Sequence, residues 1–128
     1  MPVSGPKGAL QPNTYLAGTP IVRYRAVTRG ADVNSVIPAI ANSVPLGIAE
    51  DDQQTATRAV RVADRPGETV LAEAGAAFAL DALLTSDANG RLVTCTTTQN
   101  VHAIARQAAT ALSDLCVVEI APRGYKAP

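Results

Sequence analysis

Apolar residues in this chain come in short runs, and nearly every run is closed by proline, glycine or an Asn/Asp-containing turn before a helical period can form. Ile21–Val27, Val44–Ala49, Ala59–Ala63, Thr69–Ala72, Leu83–Ser86, Arg91–Thr96, Val101–Ala105 and Leu115–Ala121 are of strand length, and several alternate polar with apolar. Asp87-Ala88-Asn89-Gly90 supplies the positive backbone torsion of a tight hairpin, and Asp64-Arg65-Pro66-Gly67-Glu68 marks a second turn. Gly47 sits inside a strand, where a glycine marks a close backbone approach. Two alanine-rich stretches, residues 72–81 and 106–112, favour helix locally but are too short to hold one alone. They are expected to be a strand running into a turn and a loop with one helical turn. The expected class is mainly β: a small β-barrel domain over residues 21–128.

An internal repeat supports that architecture. Gly47-Ile48-Ala49 lies on Ala103-Ile104-Ala105 at an offset of 56 positions, and the same offset carries Val60-Arg61-Val62 onto Cys116-Val117-Val118. Ala26-Val27-Thr28 lies on Leu83-Leu84-Thr85 at an offset of 57. Neither copy is large enough to bury a core by itself, so the two pseudo-repeats are expected to close one barrel together. Ile48, Val60, Val62, Leu84, Val93, Ile104 and Val118 are the expected core residues.

Residues 1–20 are different. Pro2, Gly5, Pro6, Gly8, Pro12, Gly18 and Pro20 leave no period and remove backbone donors. The segment is expected to be an extended arm that lies on a partner, with Val3, Lys7, Leu10, Tyr15 and Leu16 as anchors.

Composition narrows the function. Aromatics are only 3% of the chain and much of its apolar content is alanine, so each residue buries little area and stability is expected to be borrowed from neighbours. Eleven basic residues balance eleven acidic ones and are scattered singly, which argues against nucleic-acid binding. No apolar stretch is long enough for a membrane span, and the first residues lack a leader's apolar core. The default compartment is therefore the cytosol where it is made, with Cys95 and Cys116 expected as reduced, buried small hydrophobes.

Catalytic vocabulary is sparse. The single histidine, His102, sits between Val101 and Ala103 in a strand and is expected to be structural. Ser113 and Asp114 complete no triad with it, since nothing resembles a nucleophile elbow. Glu50-Asp51-Asp52 lacks the spacing of a cation loop and is expected to be a solvated acidic turn. No glycine-rich phosphate loop is present. No catalytic, cofactor or metal residue is assigned, and the chain is not expected to be an enzyme.

The run from Ala74 to Val93, with Thr85-Ser86-Asp87-Ala88-Asn89-Gly90-Arg91 at its centre, resembles a segment of the tailed-phage head decoration, or capsid cement, proteins. In that family a small-residue turn leads through a strand into such a hairpin. A Gly-Ile-Ala strand, an alanine-rich connection and a valine-rich last strand follow. Ala103-Ile104-Ala105, residues 106–114 and Leu115–Ala121 stand in those places, and Gly47-Ile48-Ala49 fits an earlier element. Leu80-Asp81 and Ser113-Asp114 depart from the family's Gly-Asp, and Ala103 stands where glycine is usual. The resemblance implies a small β-barrel or β-tulip-like domain and a non-catalytic virion protein, often trimeric, on the outside of the expanded capsid, where it holds major capsid protein subunits together. A head–tail joining or tail-tube protein on a similar barrel is the second structural reading. A small β-barrel binding module is the third.

Overall fold

The computed structural model describes residues 14–128 and contains ten strands and no helix among them. In chain order they are β1 (Thr14–Ala17), β2 (Ala26–Arg29), β3 (Ser35–Pro38), β4 (Gly47–Ala49), β5 (Ala59–Ala63), β6 (Thr69–Glu73), β7 (Leu83–Ser86), β8 (Leu92–Thr94), β9 (Ala103–Ala105) and β10 (Leu115–Ile120). The first five close into a barrel in the order β1-β3-β2-β4-β5, and the last five form a second sheet in the order β6-β10-β9-β7-β8. The protein is an all-β, small-barrel domain.

The repeat extends to every strand pair. Ala26 faces Ile48 across β2 and β4, as Leu83 faces Ile104 across β7 and β9. Ala49 faces Val62 across β4 and β5, as Ala105 faces Val118 across β9 and β10. Tyr15 faces Val60, as Ala72 faces Cys116. The barrel closes through the parallel pair Ala17–Val36, and the single parallel bridge Ala74–Leu92 makes the same closure in the second sheet. Strained positions repeat too: Tyr24 and Asp81, Asn42 and Thr98, and Thr57 and Ser113 all have positive φ. Non-glycine residues adopt that conformation only when their surroundings impose it, so the copies share turn geometry as well as strand order. The repeats thus differ from expectation in one respect: each builds its own five-stranded sheet, and they do not close a single barrel together.

What joins them is a shared core. The first barrel's interior holds Ala17, Ile21, Val27, Val36, Leu46, Ala49, Val60 and Val62. Its outer row Ala26, Ile48 and Ala63 points the other way and packs with the second sheet's interior, among Leu84, Leu92, Ala105, Cys116 and Val118. Ile48 is thereby fully buried in the seam between the repeats. Gly47 is required there: a Cβ would collide with the Ala63 carbonyl oxygen and the Val62 side chain. Gly90, with φ of 79°, brings the β7–β8 turn against the first repeat, where its carbonyl accepts the Ala26 N–H at 2.7 Å.

Four further expectations need correction. The segment read as an arm contains β1, whose pairing with both β3 and β5 closes the first barrel, so the described barrel begins at Thr14 and not after Pro20. Val93 is only half-buried and Leu92 takes the interior place, because side chains alternate across a strand and a one-residue shift exchanges the faces. For the same reason Ile104 is half-buried on the outer row, while Ala103 and Ala105 are fully buried. Ile48, Val60, Val62, Leu84 and Val118 lie inside. The expected first strand, Ile21–Val27, is broken at Tyr24, whose φ of 70° turns the chain and leaves Ile21 in an isolated bridge with Gln53.

The face assignment is testable. Ala103→Asp places a charge where no partner or water can reach it, at a cost of several kcal/mol, and is expected to abolish folding. Ile104→Asp, on the outer row beside Glu119, is expected to stay soluble and folded by circular dichroism. The reverse pattern would mean the register of β9 is misplaced.

Candidate functional site

The polar groups with the most constrained surroundings gather at the seam. Glu73, at the end of β6, accepts hydrogen bonds from Arg25 Nε at 3.1 Å, Arg91 Nε at 2.6 Å and Ser113 Oγ at 3.2 Å. Arg25 belongs to the first repeat and the other groups to the second. The Glu73 side chain is 14% exposed and the two arginines 24% and 22%. Burial alone would raise the Glu73 pKa, but the hydrogen bonds and charges of Arg91 and Arg25 outweigh it and hold the carboxyl below its ordinary value. The Glu73 N–H also donates to the Tyr24 carbonyl oxygen, so backbone and side chain both tie the repeats together.

His102 is the second seam group. It precedes β9 at the position that Leu46 occupies before β4, and it is 3% exposed. Its Nε2 lies 2.9 Å from the Ser43 carbonyl oxygen and 3.3 Å from Ser86 Oγ, which itself donates to the Ile40 carbonyl oxygen at 2.5 Å. A carbonyl only accepts, so the imidazole proton belongs on Nε2, leaving Nδ1 buried without a partner among the described residues. Burial depresses the pKa to about 4, against the opposing hydrogen bond to Ser43, and the ring is neutral at physiological pH.

The other groups singled out in the sequence are dispersed. Ser113 Oγ donates to Glu73, and Asp114 receives the Thr110 N–H and hydroxyl and the Ala111 N–H, so neither approaches His102 as a triad would require. Asp51 pairs with Arg61 and Asp52 receives the Arg23 N–H. No group of metal-ligating side chains occurs among the described residues. Cys95 and Cys116 are both free thiols that belong to different apolar clusters, and burial pushes the Cys95 thiol up to about 11.

Of the anchor residues, Val3, Lys7 and Leu10 lie outside the described residues. Leu16 is half-buried within β1. Tyr15 packs its ring against the first barrel's core and donates its hydroxyl to Asp64 at 2.5 Å; burial, with the Asp64 hydrogen bond and charge, raises its pKa to about 12. Tyr15 thus also closes the barrel wall where the linker to β6 begins. Two exposed apolar side chains, Val22 and Ile40, flank a groove of about 240 Å³ beside the seam, floored by Ile21, Pro38 and Ala39 and closed by Ala88 and Asn89. Ile40 is 66% exposed. Nothing in the sequence marked this groove, because β3 has no strong alternation and its neighbour across the groove comes from the other repeat.

The chain matches no protein-family model and no curated protein. Among solved structures it is similar to the N base of the head fiber protein gp8.5 of bacteriophage phi29, with a TM-score of 0.68, 22% sequence identity, and coverage of 84% of this chain and 91% of that one. The likeness spans both repeats and is one of fold.

Proposed function

We propose that this chain is a structural protein of a tailed-phage head, seated on the outside of the capsid as a decoration or cement protein that stabilises contacts between major capsid protein subunits. The observation that carries the reading is the fold: nine-tenths of the phi29 head-fiber base superposes on a chain whose hairpin and Ile-Ala strands resemble the decoration family. A base that roots a fibre and a cement that spans subunits make the same physical demand, a rigid β platform with a broad surface and weak individual contacts. A trimer would multiply such contacts, raising avidity on the order of 10²–10⁴-fold over a single site. Binding the assembled lattice and not its separated subunits stabilises the shell by mass action. No nucleic acid, membrane or cofactor enters this role.

The test is sedimentation of the purified chain with expanded empty heads, counting bound copies. Saturation in proportion to capsid subunits supports the reading. A single ring of copies per particle would favour a head–tail joining role, and no binding would remove both. A variant lacking residues 2–13 is expected to keep its barrel, because β1 is intact, and to bind heads several-fold more weakly. Removing residues through 19 is expected to unfold the first barrel, because β1 goes with them.

A further inference from the structure

The two repeats present the same face to different covers. In the first, Ala26 and Ala39 are buried beneath the second repeat. The positions that correspond in the second repeat are Leu83 and Cys95, and they are covered from within the same chain: Ala127 is buried with Val101 and Ala121, and Leu83 and Cys95 pack against that cluster. Hydrogen bonds match as well. The Asn42 N–H donates to the Ser86 carbonyl across the seam, and the corresponding Thr98 N–H donates to the Ala127 carbonyl at 2.9 Å. Ala127 N–H returns a bond to Gln99, and Val101 N–H donates to Tyr125; Pro45, which corresponds to Val101, has no N–H to satisfy.

The approach to that cover also repeats. Gly67 and Gly124 have φ of 85° and 82°, and the turns Arg65–Glu68 and Pro122–Tyr125 close with the same backbone bond. After the first of these turns the chain leaves the first barrel and enters the second sheet as β6. After the second it folds back, pairing Lys126 with Asn100 through a single bridge. A geometry that serves as a crossover to the next sheet in one repeat is used as a return in the other.

We propose that residues 125–128 form an exchangeable strap, and that in assemblies of this chain each copy lays its strap on the Leu83–Cys95–Val101 face of a second copy. The strap of another copy is the occupant whose fit the structure already displays, since the exchanged contact is residue for residue the one made within the chain. The hinge is the Pro122–Gly124 turn, and the bonds to be broken and remade are those of Thr98, Gln99 and Val101.

The test uses Asn100→Cys with Lys126→Cys, bridge partners close enough for a disulfide, in a background of Cys95→Ala and Cys116→Val, which are the residues found at the corresponding first-repeat positions Ala39 and Val60. Oxidation of a concentrated sample is expected to give covalent dimers and larger species on a non-reducing denaturing gel, and a sample diluted before oxidation is expected to give mainly single chains. A second readout needs no new cysteine: light scattering of the full chain against one ending at Ala121, which is expected to lose the higher-order species. Cross-links confined within single chains in an oligomeric sample, a full chain that is monomeric at every concentration, or a shortened chain that assembles like the full one would each overturn the proposal. Head binding is read separately, so failure here leaves the capsid reading standing.

Discussion

Glu73→Ala is expected to lower the melting temperature by roughly 10 °C. Two guanidiniums, Arg25 and Arg91, converge on one carboxylate that is 14% exposed, and removing it leaves both largely buried without a counter-charge. Breaking a pair in such surroundings costs about 3 kcal/mol, and in a domain of this size each kcal/mol moves the midpoint by several degrees. The exposed Arg61–Asp51 pair is the internal control, and Asp51→Ala is expected to leave the midpoint unchanged. Thermal melts followed by circular dichroism distinguish the cases. Equal midpoints for Glu73→Ala and the parent would show that the apolar seam holds the repeats without the ion cluster.

Acid sensitivity is the second large effect, and it centres on His102. Above its unfolded value of 6.5 the ring is neutral in both states and contributes no pH dependence. Below 6.5 the unfolded chain takes a proton that the folded chain resists down to about 4, so stability falls as pH drops through that window. The loss is about 2 kcal/mol by pH 5 and roughly 3 kcal/mol in all. His102→Leu copies the Leu46 arrangement of the first repeat. It is expected to cost about 1 kcal/mol at pH 7, from the unpaired Ser43 carbonyl, and to flatten the profile between pH 6.5 and 5. Glu73 acts in the same direction at lower pH: its depressed pKa gives stability that is complete above the ordinary carboxylate value and lost as pH falls through the folded one. Denaturant titrations at several pH values separate the two, and an unchanged slope in His102→Leu would show that the ring is not the titrating group.

Much of the fold was legible because turn chemistry is local. The Asp87–Gly90 hairpin, the Pro66–Gly67 turn and the strands β5, β7 and β10 follow from residues a few positions apart. The repeat was legible for a different reason, since equal offsets survive even where the residues themselves are small and common. What stayed hidden was decided at a distance. β1 sits among prolines and glycines, and only its partners β3 and β5 make Thr14–Ala17 a strand. β3 was not marked because Ser35–Pro38 ends in proline. Ile104 and Ala103 exchanged faces because the bulkier residue was assumed to point inward, whereas the second interior is filled largely by alanines around Phe78 and Leu84. The Glu73 cluster carried no spacing signal, as its members lie in both repeats, and the groove at Ile40 was invisible for the same reason.

The self-contained closure of the first barrel has a consequence for biosynthesis. All of its strands lie before Asp64, so it can close while the second repeat is still in the ribosome. At that moment the row Ala26, Ile48 and Ala63 is bare, a sticky flank whose proper cover is only then being translated. Slowing elongation just after the Pro66–Gly67 turn lengthens that exposure and gives nascent chains time to clump, while rapid passage through β6 to β10 protects them.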